Sequence, residues 1–378
     1  MFSENCLPRL KPSVEFTKLH DSVVLTHGED SLLNDENADF LKSLCDCMDG
    51  QSRVETIISR MLAAFPELES QAVTDAIQQL DELRLLEDNQ FNLHRSDTIE
   101  PEVDERWCRN FDFYGSLIPM SENKYEVQDK LRNATVGLLG LGGLGSNILL
   151  GLAAMGVKNV VAADFDMIEQ SNLNRQILYR QEDVGKEKAP TAEMRIKQFY
   201  PGMNTRISRQ KFESHEDIER FIEGCDVVIG VADKPRMKMP MWMNQACINR
   251  NVTFISGGLN INRGLIYSVT PGKTGCISCW RNQANVSNEI NEVIHGHKHE
   301  THQTFETPYS SPAFAPLVSV VTGAMLTEAV KVLTGIAEPS FGNKLTQIDF
   351  KNFESRVIET WKRSEHCPMC SHTNERVS

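Results

Sequence analysis

The sequence predicts an α/β fold with a mostly parallel sheet, and two patterns lead to this prediction. First, apolar strand-like stretches alternate with helical stretches from Ala134 onward; the strand-like stretches are TVGLLG, NVVAADFD, TRISRQ, DVVIGVA, VTFISGG and GLIYSVT. Such alternation favours parallel strands joined by crossover helices. Second, an apolar run from Thr135 leads into a glycine-rich turn and then into another apolar run. We therefore expect a Rossmann-like sheet in residues 134–378, with a ligand at the carboxyl ends of its strands.

The glycine-rich turn predicts a phosphate site. A strand that enters such a turn and opens a helix directs backbone N–H groups and the positive end of the helix dipole toward an anion. The turn alone does not separate a nicotinamide cofactor, a flavin and ATP. Asp164 lies about twenty positions beyond, where an acidic residue would bind ribose hydroxyls. Arg175 and Lys188 follow, and two cations near a phosphate turn favour a triphosphate. The glycines of the turn are Gly140, Gly142, Gly143 and Gly145.

Residues 1–93 are expected to form a separate, small domain. Two short apolar runs flank the segment HGED, which indicates a hairpin, and a helix is expected from near Asn37. Ser52 and Glu55 have the spacing of a capping box before a second helix, and a third helix starts near Ser70. The stretch LLEDNQFNLH is expected to form a closing hairpin. These elements predict a winged-helix α+β domain, but its third helix carries more acid than base, whereas a DNA-reading helix needs the opposite sign.

Composition and charge narrow the function classes. A chain of 378 residues with 40% apolar content favours two domains. A formal net charge of −13 argues against a nucleic-acid groove, although solubility is the simpler explanation of that charge. The first residues lack the pattern of a signal peptide. Two long uncharged stretches, at 134–157 and about 307–327, contain glycines or prolines and are interpreted as buried core. We therefore expect a cytoplasmic protein without a nucleic-acid or membrane partner.

The cysteine pattern predicts a structural metal site. Four of the ten cysteines form two close pairs, in CISC and CPMC. In a cytosolic chain this spacing suggests a metal rather than disulfides, and four thiolates are the usual closed, tetrahedral ligand set of zinc. The alternative is two unrelated pairs of free cysteines. The four residues are Cys276, Cys279, Cys367 and Cys370.

Eight pieces of the sequence together resemble one known family. They are GLGGLGS at 140–146, DFD at 164–166, SNLNRQ at 171–176, VGKEKA at 184–189, Asp233 after a strand, the two cysteine pairs, and the late stretch APLVSVVTGAMLTEAVKVLTG. Together they cover roughly residues 106–370. This ordered set resembles the ThiF/MoeB-type adenylating enzymes, which are related to ubiquitin-activating enzymes. The resemblance implies a bound ATP, with Mg²⁺ and a structural Zn²⁺.

The resemblance also implies a role for each matching residue. The glycine turn, Asn172 and Gln176 would bind the nucleotide, and Asp164 would bind its ribose. Arg175 and Lys188 would hold the phosphates and offset the charge that develops at the α-phosphorus. Taken singly, each of these side chains could equally be an ordinary surface or core residue; their order and spacing favour the functional interpretation.

Three further implications concern the metal and a second subunit. Asp233 would hold Mg²⁺. Arg109, within a connector at 94–133, would be an arginine finger that completes the partner's site, so the resemblance implies a homodimer; Arg106 is a second candidate or a surface ion-pair residue. The sequence departs from the family pattern at Lys234, where relatives commonly have Asn after the metal-binding Asp.

The domain at 1–93 resembles the precursor-peptide recognition domain of enzymes that modify ribosomally made peptides. In that family the leader peptide adds as a strand to a hairpin edge beside the third helix. A purely structural cap on the larger domain is the alternative.

Enzymes that activate ubiquitin-like proteins usually carry a thioester cysteine between the two pairs, but residues 280–366 contain none. Cys225 and Cys247 are interpreted as buried structural thiols. A polar crossover loop is expected at about 280–312. Its histidines could serve a metal site or act as a base, although a solvated loop is the simpler interpretation. These are His295, His297, His299 and His302.

The sequence thus predicts ATP-dependent adenylation of a carboxylate in a ribosomal precursor peptide, leading to cyclisation or a new bond. The chain resembles the peptide-modifying family members of microcin C and pantocin A biosynthesis. Three alternatives stay open: activation of the C-terminus of a sulfur-carrier or ubiquitin-like protein, an inactive peptide-binding scaffold, and a nicotinamide dehydrogenase.

Overall fold

The computed structural model describes residues 3, 5–19, 22–28, 30–34, 37–95, 99–236, 238–283 and 312–373. The chain divides into two compact units, Met1–Lys130 and Leu131–Ser378. Each unit has its own buried hydrophobic cluster.

The N-terminal unit combines two small antiparallel sheets with helices. Its strands are β1 (Pro8–Leu10), β2 (Glu15–Leu19), β3 (Ser22–His27), β4 (Asp30–Asn34) and β5 (Leu86–Asp88). Strand β3 lies between β2 and β4, and β1 pairs with β5. The predicted hairpin around HGED is confirmed as the β3–β4 pair. The helices are α1 (Ala38–Cys47), α2 (Val54–Ala64), α3 (Ser70–Glu82), α4 (Asn89–Leu93) and α5 (Pro101–Leu117), and a further helix, α6 (Lys124–Asn133), begins in this unit and ends in the next.

Three apolar helix faces and one sheet face form the core of this unit. Helix α3 buries Val73, Ile77 and Leu80, which recur at helical spacing. The expected closing hairpin is wrong. Strand β5 is followed by helix α4, because the Asp88 side chain accepts a hydrogen bond from the Gln90 backbone N–H and so caps a helix.

The expected capping box of α2 is also absent. Asp49 accepts hydrogen bonds from the Ser52 backbone N–H at 2.8 Å and from its hydroxyl at 3.2 Å. The Ser52 hydroxyl in turn accepts a hydrogen bond from Arg60. Helix α2 therefore begins after Arg53 without a side-chain cap.

The C-terminal unit is built on one sheet of eight strands. In chain order they are β6 (Thr135–Leu139), β7 (Asn159–Ala163), β8 (Asn204–Ser208), β9 (Val227–Gly230), β10 (Thr253–Asn260), β11 (Arg263–Val269), β12 (Lys344–Asp349) and β13 (Ser355–Thr360). Their order across the sheet is 13-12-11-10-9-6-7-8. The strands from β8 to β10 pair in parallel, and β11, β12 and β13 add antiparallel neighbours. The predicted mostly parallel sheet is confirmed.

Six α-helices among the described residues accompany this sheet. They are α7 (Gly143–Met155), α8 (Lys188–Phe199), α9 (His215–Phe221), α10 (Met239–Asn249), α11 (Ile277–Gln283) and α12 (Ala315–Thr334). The first strand of the unit, β6, lies between β7 and β9, so the chain leaves it in both directions across the sheet. A crevice forms at such a switch point, outside the carboxyl ends of the strands.

Helix α12 is long and apolar enough to cross a membrane by length and composition alone. It contacts α7 and the strands β10 and β11. Its residues Leu317, Val321 and Met325 are buried. These contacts are those of a core helix, as expected for the part of the 307–327 stretch that the structure describes.

Candidate active site

The glycine turn is shaped by close backbone approaches. Gly140 has a φ of +99°, a left-handed conformation, and a side chain there would meet the Ala232 backbone nitrogen at 2.9 Å. A Cβ at Gly145 would lie 1.8 Å from the Gly140 carbonyl oxygen. Helix α7 starts directly after Gly142, with no side-chain cap. Its first N–H groups are therefore left for an anion, as in a phosphate site.

Two carboxylates follow strand β7. The Asp164 carboxylate accepts hydrogen bonds from the Leu141 backbone N–H at 2.7 Å and from the Asp166 backbone N–H at 2.8 Å. Asp164 thereby ties the glycine turn to its own loop. Asp166 forms an ion pair with Lys188, at 3.3 Å between Oδ2 and Nζ. The Lys188 backbone N–H also donates to the Asp166 carbonyl, so the start of α8 is held against this loop.

The segment 171–176 lies beside the glycine turn. A Cβ at Gly143 would lie 3.3 Å from the Arg175 side chain. The Arg175 guanidinium donates to the Ser171 carbonyl at 3.1 Å and to Asn174 at 2.7 Å. Asn172 is buried, and its side-chain oxygen accepts a hydrogen bond from the Glu169 N–H.

Gln176 is buried, and its Oε1 atom has no hydrogen-bond partner among the described residues. Its Nε2 atom would lie 3.9 Å from a Cβ placed on Gly142, so the side chain borders the turn. A buried polar atom without a partner is costly. Gln176 is therefore suited to a ligand that supplies the missing donor.

Asn147 is a residue that the sequence analysis missed. Its side-chain amide donates to the Gly143 carbonyl at 2.8 Å and to the Arg175 carbonyl at 2.9 Å. It therefore joins the first turn of α7 to the segment that carries Arg175. The only sequence signal is its position four residues after Gly143, on the same helix face.

Asp233 and Arg109 are both exposed. Asp233 follows strand β9, one residue after the Ala232 backbone that Gly140 approaches, so it lies at the carboxyl edge of the sheet. Within the described part of the chain it has no ion pair. An exposed, unpaired carboxylate is a hard oxygen ligand that fits Mg²⁺. Arg109 lies on α5 of the N-terminal unit, and the neighbouring Arg106 packs over the Trp107 ring at 5.4 Å.

The four paired cysteines converge on one buried point. The Sγ atoms of Cys276 and Cys367 are 3.7 Å apart, and those of Cys279 and Cys370 are 3.4 Å apart. All four Sγ atoms lie within 4.8 Å of one another. Sulfur atoms at tetrahedral positions about 2.3 Å from a zinc ion would be about 3.8 Å apart. The cluster therefore has the donor set and spacing to hold Zn²⁺.

Apolar core residues and backbone N–H groups lie around the cluster. Burial would raise the pKa of the Cys367 thiol, but the N–H groups of Met369 and Cys370 outweigh it and lower this pKa to about 7. Burial raises the pKa of Cys276 to about 12 in the absence of a metal. The rings of Trp280 and Trp361 are stacked, with their centroids 4.9 Å apart, and belong to the same buried hydrophobic core as the four cysteines.

The other expectations about thiols and histidines differ in outcome. Cys225 and Cys247 are buried, as predicted, and burial raises the pKa of Cys225 to about 11. Neither is placed as an accessible nucleophile. The crossover loop at about 280–312 and its four histidines lie outside the described residues, apart from the ends of that range.

Comparison with known proteins identifies the family. The ThiF family model matches residues 114–369. The sulfur carrier protein ThiS adenylyltransferase of Escherichia coli strain K12 is 29% identical over 70% of this chain and 97% of its own length. The crystal structure of E. coli MccB in complex with AMPCPP and MccA superposes on 96% of this chain and 99% of its own, with a TM-score of 0.77 and 22% identity.

Other comparisons agree. MccB has also been solved with ATP and, described as the microcin C7 biosynthetic enzyme, with N-formylated MccA. The structure of PaaA superposes on 79% of this chain and 95% of its own, with a TM-score of 0.63 and 22% identity. The chain therefore belongs to the ThiF family, whose adenylyltransferases are ATP-dependent adenylating enzymes.

Proposed function

We propose that this chain uses Mg-ATP to adenylate a carboxylate of a ribosomally made precursor peptide, and that the activated carboxylate is then captured in a cyclisation or another new bond. The carboxylate is a Glu or Asp side chain or the C-terminus. The product class is a peptide natural product, as with the microcin enzyme to which the fold is similar.

One observation carries this proposal: the fold is shared over the whole chain with a peptide-binding relative. The sulfur-carrier adenylyltransferase covers only 70% of this chain, although almost all of its own length is matched. MccB, solved with the peptide MccA, covers 96% of this chain and so includes the N-terminal unit. The N-terminal unit is thus shared with the structure solved with MccA, which supports a peptide substrate for this chain.

The edges of the three-stranded sheet offer a place for the leader peptide. Strands β2 and β4 are its outer strands, so each has one unpaired side within that sheet. An extended peptide can add there as a further strand, with main-chain hydrogen bonds that supply affinity and side-chain pockets that supply specificity. We propose that the leader binds at this sheet while the substrate carboxylate of the same precursor peptide is activated in the crevice.

In the proposed reaction an oxygen of the substrate carboxylate attacks the α-phosphorus of ATP, an acyl adenylate forms and pyrophosphate leaves. Arg175 and Lys188 offset the negative charge that develops on the phosphates. The first N–H groups of α7 bind phosphate oxygens, and Asp164 accepts hydrogen bonds from the ribose hydroxyls. Asn172 and Gln176 complete the nucleotide pocket. Asp233 would hold Mg²⁺, which supplies further positive charge to the phosphate oxygens.

Arg109 is proposed to complete the site of a second subunit in a homodimer. Its guanidinium is exposed and has no ion pair within the part of the chain that the structure describes. Helix α5 is anchored by the buried side chains of Trp107 and Phe111, which leaves Arg109 on the outer face. Arg106 is engaged with the Trp107 ring and is the weaker candidate.

Sulfur-carrier activation is the second candidate function, because the alignment, at 29% identity, covers 97% of the ThiS adenylyltransferase. The two candidates differ in substrate and not in nucleotide chemistry. Residues 280–366 contain no cysteine for a thioester relay.

The deciding experiment incubates the purified chain with Mg-ATP and synthetic peptides encoded by short reading frames next to its gene. Nucleotide products and peptide mass are measured together. We expect AMP and pyrophosphate with loss of water from the peptide, or a peptide that gains a nucleotidyl group. The matched control is the same peptide without its leader portion, which should react far more slowly.

AMP formed only with a carrier protein ending in Gly-Gly would replace the proposal with the second candidate. Nucleotide turnover with neither substrate, from a protein that binds the peptide, would indicate the scaffold alternative.

A further inference from the structure

Two lysine side chains meet at one carboxylate oxygen in the crevice. The Oδ2 atom of Asp166 lies 3.3 Å from the Lys188 Nζ and 3.8 Å from the Lys234 Nζ. The three residues come from separate segments: the loop after β7, the start of α8 and the loop after β9. Both ammonium groups therefore point to the same place at the carboxyl edge of the sheet.

The two ammonium groups share a single carboxylate oxygen. Asp166 alone therefore does not satisfy both of them, and the one that is held less firmly can bind another anion. Lys188 is held, because its side chain is 7% exposed and its backbone N–H donates to the Asp166 carbonyl. The Lys234 side chain is 65% exposed. An exposed ion pair at this distance contributes little to stability, so Lys234 can change partner at low cost.

We propose that Lys234 is a further phosphate-binding residue of this site. When the triphosphate enters, the Lys234 ammonium moves from Asp166 to phosphate oxygens. Asp166 stays paired with the more buried Lys188 until the Lys188 ammonium also contacts phosphate. The inference rests on the proposed function, since it assigns a residue within the same nucleotide site. Lys234 thereby favours ligands that carry a β- and a γ-phosphate or pyrophosphate.

The chemistry of an ammonium group supports this choice of ligand. Lysine binds phosphate as a compact point charge with three donors, and charge-assisted hydrogen bonds to phosphate are stronger than neutral ones. AMP has no β- or γ-phosphate for the Lys234 ammonium to contact, so the loss of this group affects ATP and pyrophosphate more.

The test measures the affinity of four proteins for three ligands by calorimetry in the presence of Mg²⁺. The proteins are the wild type, Lys234→Ala, Lys234→Arg and Lys273→Ala; the ligands are ATP, inorganic pyrophosphate and AMP. Lys273 is an exposed lysine of the turn that follows β11, away from the crevice edge of the sheet.

We expect Lys234→Ala to weaken ATP and pyrophosphate about ten- to a hundredfold and AMP by less than about threefold. Lys234→Arg should restore most of the affinity, and Lys273→Ala should match the wild type. Unchanged ATP affinity in Lys234→Ala would overturn the inference while leaving the proposed function intact. An equal loss for AMP would also overturn it, because the residue would then support the pocket as a whole. A wild type that binds none of the three ligands would overturn both.

Discussion

The nucleotide crevice and the four-cysteine cluster belong to the same unit, yet they are built in opposite ways. The crevice has exposed or half-exposed charges, among them Asp166 and Asp233, and two buried polar atoms, on Ser146 and Gln176, that have no partner among the residues the structure describes. At the cluster all four cysteines are at most 2% exposed, and two stacked tryptophans pack beside them. The crevice is thus incomplete without a ligand, whereas the cluster is enclosed.

This difference separates function from stability. Interactions that a folded protein leaves unsatisfied add nothing to its stability but can be satisfied by substrate, as functional sites often show. Side chains that fill a buried, low-accessibility cluster act mainly on the free energy of unfolding. Substitutions of the charged side chains in the crevice should therefore change catalysis with little change in stability, and substitutions in the cluster should do the reverse.

The largest effect is expected at the cysteine cluster. In Cys276→Ser, or after treatment of the wild type with a strong chelator, we expect loss of zinc and a fall in the free energy of unfolding of more than about 5 kcal/mol, because structural zinc contributes folding energy directly. Zinc content and thermal unfolding measure this. Cys108→Ser, at an exposed cysteine, is the matched control and should retain both the zinc and the unfolding temperature. A wild type purified without any zinc would contradict the prediction.

The next effect is expected at Lys188 and concerns catalysis. Lys188→Ala should lower the rate of ATP–pyrophosphate exchange about 10²- to 10³-fold, the usual result of removing one group that stabilises transition-state charge. Thermal unfolding should change little, since its partner Asp166 is partly exposed and still faces Lys234.

The control for Lys188 lies two residues away. The Lys186 side chain is half exposed and bonds to Asp183, which also accepts hydrogen bonds from Arg195. Lys186→Ala should keep at least about a third of the wild-type exchange rate, because no role at the phosphates is assigned to it. Equal loss in both variants would show that the start of α8 is disturbed as a whole.

Gly145 and Gly323 differ in the space that is available to an added Cβ. In Gly145→Ala the new Cβ would meet the Gly140 carbonyl oxygen, so the turn must shift; we expect a loss of about 1–3 kcal/mol in stability and a loss of ATP affinity. Gly323, exposed on α12, has nothing within 4 Å of an added Cβ. Gly323→Ala should instead stabilise the protein by about 0.5–1 kcal/mol. Denaturant unfolding of both variants tests the pair, and a stabilised Gly145→Ala would refute the proposed shape of the turn.

The sequence predicted the parallel strands and the glycine turn because their signals are local. Strand β6 and the start of α7 are continuous in the chain, and the helix cannot start there without the glycines at 140 and 145. The cysteine cluster was predictable for another reason. Thiol pairs that are 91 residues apart are recognised by their spacing within each pair and not by the fold between them.

Predictions failed where a side chain had a choice of partners. Ser52 had the spacing of a capping box, but Asp49 is three residues away and binds its N–H and hydroxyl. The stretch after β5 was predicted as part of a hairpin, but the Asp88 side chain caps a helix there. The role of Asn147 depends on the Arg175 carbonyl, 28 residues away in sequence, so no local pattern reveals it. Strands β12 and β13 were also missed, since both mix polar and apolar residues; β13 is an edge strand and β12 lies between it and β11.

The smallest expected effect is at Ser146, where substitution should change both stability and the response to nucleotide. Its hydroxyl is fully buried in the first turns of α7 and has no partner among the described residues. Ser146→Ala should therefore raise the free energy of unfolding without nucleotide by up to about 1 kcal/mol, because an unsatisfied buried polar group is removed. With saturating ATP the advantage should shrink if the hydroxyl hydrogen-bonds to a nucleotide at the helix start. Denaturant unfolding with and without Mg-ATP measures both values. A variant less stable than the wild type without nucleotide would show that the hydroxyl is already satisfied, and that the crevice is more complete on its own than its geometry indicates.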